Sequence, residues 1–482
     1  MDHIAGTFGP EPEKLHGYPG HQEIELALVK LYQVTNEPRY LQLSQYFLDE
    51  RGKEPYYFDI EAEKRGQTEI FEGFKKLDRK YAQTHAPVRQ QTAVEGHAVR
   101  AMYLCTAMAD VARETQDTEL FEACKRLWRN LTTRRMYITG GIGSTSVGEA
   151  FTFDYDLPND TIYAETCASI GLVFFAHRLL KIDEDRDYAD VLEQALYNTV
   201  LSGMALDGTR YFYVNPLEVW PEACEKNPLK SHVKPVRQKW YACACCPPNV
   251  ARLIMSLGQY IYTRKEQTLS VHLYIGSEAT IELDGSAITI TQETRYPWAG
   301  QATLTLGMTR DTPFTLALRI PGWCRTATLA IDGEKIELNG RRVIKGYARI
   351  ERTWRAGDRI ALDFAMPVEI IQAHPNVRAN AGKVALKCGP IVFCLEEVDN
   401  GGNLSAIVLP RNAQLTAAFD EQLLGGTVVI RGEAFRSDES GWDDVLYRPV
   451  RMTLKPITIT AIPYSFWGNR TAGEMLVWLR SL

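Results

Sequence analysis

The chain has 482 residues, of which 45% are apolar and 24% charged, and its formal net charge is −6. That much apolar material can fill the cores of two or three domains, and the acidic balance, with no Lys/Arg run interleaved with aromatics, argues against a nucleic-acid partner. The start, MDHIAGTFGPEPEKLHG, has no basic segment followed by an apolar one, and no later stretch is long and uncharged enough to span a bilayer. The expectation is a cytoplasmic protein with a small uncharged ligand and no membrane partner, a homodimer being left open.

In chain order, apolar residues first recur at helical spacing, in HQEIELALVKLYQV, PRYLQLSQYFLDE, VEGHAVRAMYLCTAMADVARE, TELFEACKRLWRNL, ETCASIGLVFFAHRLLK and NVARLIMSLGQYIY. Short polar stops separate these segments: Pro38 suits a first helical position, and Gln116-Asp117-Thr118 and Asp183-Glu184-Asp185 supply caps. The pattern predicts helical hairpins over residues 1–264. Aligned on their first helices, the hairpins place His21, His97, Glu165 and Cys245 near successive helix starts, about 70 to 80 residues apart. A ring of such hairpins, an α/α toroid, would gather those starts around one pocket. First turns favour polar residues in any helix, so His21 and His97 alone do not decide the point.

From about residue 265 the period becomes two, in TLSVHLYI, ATIEL, AITITQ, ATLTLGM, FTLALRI, ATLAI, YARIERTW and RIALDF, with turns at Asp284-Gly285 and Asp332-Gly333. This predicts an antiparallel β-sandwich over 265–370. The segments KVALKCGPIVFCLEE, GTVVIRGEAF and PITITAIPYSFW predict a second β-sandwich-like unit over 371–482.

Of ten cysteines, Cys105, Cys124, Cys224, Cys324, Cys388 and Cys394 stand in apolar or loop contexts and are expected to be buried thiols. Glu165 and Cys167 open one helix, and Cys243, Cys245 and Cys246 precede Pro247-Pro248 and another. Glutamate and thiolates suit zinc, but the spacing alone leaves inert cysteines, a structural zinc and a catalytic metal all open. Asp154, Asp156 and Asp160 lack the calcium-loop pattern, and the aromatics Tyr155, Tyr163, Trp240 and Tyr241 suit either sugar stacking or packing. The ITGGIGS segment is expected to be a pocket-forming turn.

The runs GEAFTFDYDLPNDTIYAETCAS and CACCPPNVAR, with GYPGHQEIELALVKLY, QQTAVEGHAVRAMY, RMYITGGIGS and YFYVNPLE, resemble glycoside hydrolase family 127, the β-L-arabinofuranosidases. The resemblance covers most of the chain and implies a catalytic α/α toroid, β-sandwich domains behind it, and cleavage of a small glycoside with retention. It implies a Zn²⁺ ion held by Glu165, Cys167, Cys245 and Cys246, with Cys245 as nucleophile. Glu149 would be the acid/base, and His21, His97 and Tyr213 sugar contacts; Cys243 matches a family cysteine without an assigned role. Members of this family usually carry further helices before GYPGH, so the ring is expected to be incomplete and to lack at least one sugar-contacting histidine. Two other readings compete with the hydrolase. One is a carbohydrate-binding protein with a structural zinc, and the other an epimerase-like toroid using His21 and His97 as acid and base.

Overall fold

The computed structural model describes residues 1–66, 78–283, 285–440, 442, 445–449 and 453–482. Its helical part contains α1 (Ile24–Thr35), α2 (Pro38–Glu50), α3 (Ala98–Thr115), α4 (Thr118–Asn130), α5 (Thr166–Ile182), α6 (Arg186–Ala195) and α7 (Cys246–Met255). The expected boundaries have physical causes. Pro38 sits in the first turn of α2, and the Asp117 and Asp185 carboxylates accept the N–H groups of Leu120 and Asp187. Asn36 and Gln116, with φ of 58° and 54°, end α1 and α3 in left-handed caps.

Helices α3 and α5 are buried almost all round, whereas α4 and α6 bury a single stripe, such as Leu120, Ala123, Cys124 and Leu127 on α4. That difference sorts inner from outer helices. Inner helices α1, α3, α5 and α7 pack in succession, with α2, α4 and α6 behind the first three. Gly171 permits the close pass of α5 over α3, since a Cβ there would lie 2.7 Å from Met102 Cβ. All four inner helices start at the same end, as the α/α toroid reading requires.

Strands follow from Tyr262. Between Tyr262 and Phe364 they form a five-stranded and a six-stranded sheet sharing a core of Ile288, Ile290, Leu304, Leu316, Leu318 and Ile360. Asp332 and Gly333, with φ of 52° and 85°, make the expected two-residue hairpin turn, pairing Ile331 with Glu334. Asp284 of the other predicted turn lies outside the described residues. Within this unit one pairing among the described residues is parallel: Thr268–Val271 runs alongside Thr312–Arg319 because the chain spends three strands in the other sheet before returning.

The C-terminal strands form a ten-stranded sheet that folds back on itself, Lys383–Cys388 pairing with Ile391–Glu396 near one end and with Leu479–Ser481 near the other. Glu218–Val219, from the helical part, adds an edge strand to Met475–Leu476. Phe212 stacks on Trp467 at 4.5 Å, and the buried Arg237 guanidinium donates to the carbonyls of Ser465 and Trp467. The sheet is thereby fastened to the loops that carry the site described below. No helix among the described residues is long and apolar enough to cross a membrane.

Arg319 forms a second fastening, between the first β unit and α6. Its fully buried guanidinium reaches Glu193 and, at 2.5 Å, Asp190, while Glu193 also accepts from Tyr296 and from the Trp323 indole. Arg319→Met would leave Glu193 buried without its counter-charge. The expected loss is about 3–5 kcal/mol of unfolding free energy in denaturant titration, and a loss under about 1 kcal/mol would contradict this account.

Candidate active site

Each predicted residue is set by a specific piece of backbone. His97 is the N-cap of α3, its Nδ1 accepting the Arg100 N–H at 3.4 Å. With Nδ1 an acceptor, Nε2 carries the proton and donates to Glu149 Oε2 at 2.8 Å. A short bridge between His97 and Ala150 brings the Glu149 loop to that helix start. Glu149 itself has φ of 53°, a left-handed conformation costing about 1–2 kcal/mol for a residue with a side chain. The Ala150 N–H, bonded to the Thr145 carbonyl, holds it there. Glu165 is the N-cap of α5, and its bridge to Val214 aligns it with Tyr213. Cys245 caps α7, with Cys246 in its first turn.

These helix starts converge. Cys245 Sγ lies 3.3 Å from Glu165 Oε1 and 3.8 Å from Cys246 Sγ; Cys246 Sγ is 4.0 Å from the same carboxylate oxygen and 3.6 Å from Cys167 Sγ. All ten cysteines are free thiols. The four donor atoms lie within 4.8 Å of one another, close enough to hold one metal ion. Glu165 Oε2 is buried without a hydrogen-bond partner, which a cation would relieve.

Charge in the bare cluster is uneven. Hydrogen bonds from the Cys167 and Cys246 thiols hold Cys245 far below the ordinary thiol value, whereas thiol contacts and burial push Cys167 and Cys246 up. Burial, then the nearby Glu149 and Cys245 charges, push Glu165 up as well. For Glu149, burial acts upward, but hydrogen bonds from His97 and Tyr163 outweigh it and bring the carboxyl below its usual value.

Tyr213 links the two groups. Its hydroxyl lies 3.4 Å from Cys245 Sγ and 3.5 Å from Glu149 Oε1, so those two atoms are at most about 7 Å apart. His21, His97, Glu149, Glu165, Cys167, Tyr213 and Cys245 all line one cavity of about 400 Å³, with Cys246 fully buried behind it. A larger hollow of about 740 Å³ lies at the C-terminal ends of α3 and α5 and contains none of these groups.

Residues 1–259, 268–366 and 368–480 match, in turn, the catalytic, middle and C-terminal domains of the family described as beta-L-arabinofuranosidase, GH127. The chain is 42% identical over 492 residues to a non-reducing end beta-L-arabinofuranosidase of Bifidobacterium longum subsp. longum, covering 99% of this chain and 73% of that protein. The chain belongs to glycoside hydrolase family 127. Among solved structures of this family, a GH127 beta-L-arabinofuranosidase from Geobacillus stearothermophilus T6 superposes with a TM-score of 0.97 at 57% identity, over all of this chain and 75% of that one. A second, described as a GH127 beta-arabinofuranosidase, superposes with a TM-score of 0.87 at 36% identity, over all of this chain and 72% of the other. The protein is thus a glycosidase acting on carbohydrate.

Several residues of this family 127 site had no distinct reading in the sequence. Tyr103, Asn249 and Arg252 form the far wall of the cavity, the Asn249 amide and the Arg252 guanidinium each donating to the Tyr103 hydroxyl at 3.0 Å. Their only local signal is the i, i+3 spacing of Asn249 and Arg252 after the prolines. Glu23 pairs with Arg252 at 3.1 Å at the mouth. Tyr163 donates to Glu149 rather than standing free for a sugar, and Tyr155 is stacked on His374 at 4.6 Å. Tyr241 packs on Tyr211, whereas Trp240 is exposed. Asp154 pairs with Arg134 and Arg135, Asp160 with Lys230, and Asp156 accepts from Thr152, so none of the three is an unmet ligand. The ITGGIGS glycines do not line the cavity; Gly140 instead abuts the backbone of Ala195. Cys324, expected to be buried, is partly exposed.

Proposed function

We propose that this protein removes terminal β-L-arabinofuranosyl residues with retention, Cys245 acting as nucleophile, Glu149 as acid/base, and Glu165, Cys167, Cys245 and Cys246 holding one Zn²⁺. The observation that carries the reading is the Tyr213 hydroxyl in contact with both Cys245 and Glu149 inside one cavity. The activity of the two named relatives supports the choice of sugar.

The donor set fits zinc. Zn–S bonds of about 2.3 Å and Zn–O bonds of about 2.1 Å at the tetrahedral angle place two sulfurs about 3.8 Å apart and sulfur and oxygen about 3.6 Å apart. The corresponding separations here are 3.6 and 3.8 Å between sulfurs and 3.3 and 4.0 Å between sulfur and oxygen. Zinc bound there keeps its sulfur ligands deprotonated at neutral pH.

In the first half-reaction the Cys245 sulfur attacks the anomeric carbon while Glu149 gives its proton to the departing oxygen. A sugar filling the cavity excludes water and adds to the burial that already acts upward on Glu149, favouring the protonated form this step needs. In the second half the Glu149 carboxylate takes a proton from water, which attacks the anomeric carbon from the face the leaving group vacated, and the Cys245 sulfur departs. His21 and His97 face the sugar, and Tyr213 orients both reacting groups. His97 supports this reading over an epimerase, because one ring nitrogen caps α3 and the other is bound to Glu149, leaving no free base.

Elemental analysis tests the metal assignment. We expect about one zinc per chain, loss of hydrolysis of aryl β-L-arabinofuranosides on chelation, recovery on zinc addition, and less than a tenth of the metal in Cys246→Ser. Full activity in metal-free protein would refute the assignment.

A further inference from the structure

The geometry points to Tyr163 as a positioning residue that fixes which oxygen of Glu149 delivers the proton. This rests on the reading of Glu149 as acid/base.

A carboxylate oxygen has two lone pairs. At Glu149 Oε1, Tyr163 donates at 2.6 Å and Tyr213 lies at 3.5 Å; at Oε2, His97 donates at 2.8 Å and no other partner is present among the described residues. Oε1 is saturated and Oε2 keeps one lone pair open, so the transferable proton sits on Oε2. Tyr213 alone would hold Oε1 only weakly, since its hydroxyl lies 3.5 Å away. The short bond from Tyr163 makes Oε1 the permanent acceptor.

Tyr163 is built to stay a donor. Against a carboxylate oxygen at 2.6 Å a phenol hydroxyl can only donate. Its ring is held edge-on by Tyr213 at 5.9 Å and faces His232 at 6.0 Å, and the His232 Nε2 is fixed on the Ile162 carbonyl at 3.1 Å. The next residue, Ala164, has φ of 40°, a conformation kept by its N–H on the Gly143 carbonyl and by the Asn215 amide on its own carbonyl. This strained residue separates Tyr163, aimed at the acid/base, from Glu165, aimed at the thiols. Backbone cost concentrated between two site residues marks a position held for function rather than packing.

In Tyr163→Phe the proton loses its preference for Oε2 and the carboxyl its fixed aim, so the acid is both misprotonated and misaligned toward the leaving oxygen. The penalty falls on substrates whose leaving oxygen needs the proton. We expect kcat/KM for methyl β-L-arabinofuranoside to fall about tenfold or more, with kcat carrying the loss, while that for the 4-nitrophenyl glycoside changes less than about threefold. A uniform drop with an unmoved ratio of the two substrates would mean a packing role only and would overturn the proposal. Glu149→Gln, assayed in parallel, separates the two claims. If it raises the same ratio and Tyr163→Phe does not, Tyr163 is wrongly assigned and Glu149 stands; if neither does, both readings fall. Should Tyr163→Phe not fold, 3-fluorotyrosine at position 163 keeps the shape and makes the hydroxyl a stronger donor. It is expected to shift that ratio, and an unchanged ratio again overturns the proposal.

Discussion

Cys245→Ala is expected to lower kcat by about ten-thousandfold or more on every β-L-arabinofuranoside, activated or not. The size follows from what the side chain would do. Of the three sulfurs in the cluster, Cys167 and Cys246 are buried and only Cys245 is partly exposed to the cavity. A covalent route that loses its nucleophile retains only what binding and the acid supply. The fold has little reason to fail, because Cys245 is only half-buried at the mouth of a cavity while the core beneath α7 is filled by Cys246, Val250 and Leu253. Far-ultraviolet circular dichroism of this variant should match wild type. A residual rate above about one per cent of wild type would remove Cys245 from the chemistry.

Glu149→Gln carries the second large effect, and its signature is dependence on the leaving group. With an alkyl glycoside the missing proton is expected to cost about a hundred- to ten-thousandfold in kcat/KM, whereas a 4-nitrophenyl leaving group needs little protonation and suffers far less. Turnover of the activated substrate still slows, because water must then attack without a base, and KM falls with kcat as the covalent species accumulates. The amide also fits its surroundings imperfectly. Glutamine offers one acceptor oxygen where Tyr163 and His97 both donate, so one of them loses its partner, which makes a modest drop in melting temperature part of the expectation. Equal losses on both substrates would assign Glu149 to binding.

Much of this was legible in the sequence because the relevant signals are local. A 3.6-residue period, Pro38 and the polar stops at 116–118 and 183–185 located the hairpins, and the recurrence of polar residues at helix starts anticipated that His97, Glu165 and Cys245 would meet. What could not be read depends on partners far apart in the chain. Glu218–Val219 is too short to announce a strand, and its partner lies more than 250 residues on. The parallel run of Thr268–Val271 beside Thr312–Arg319 depends on an excursion through another sheet. Tyr163 looked like any aromatic near a sugar site, because its bond to Glu149 depends on the left-handed backbone that turns that carboxylate toward it. Glu149 itself, in a glycine-flanked loop, carries no local mark of burial; the family resemblance singled it out.

The most direct test of a sulfur nucleophile is to quench Glu149→Gln during hydrolysis of 4-nitrophenyl β-L-arabinofuranoside and map the peptides by mass. The account predicts one added anhydropentose on the peptide containing Cys245. An adduct on Glu149, Glu165 or any other carboxylate-bearing peptide, or no adduct while nitrophenol is released in a burst, would contradict it.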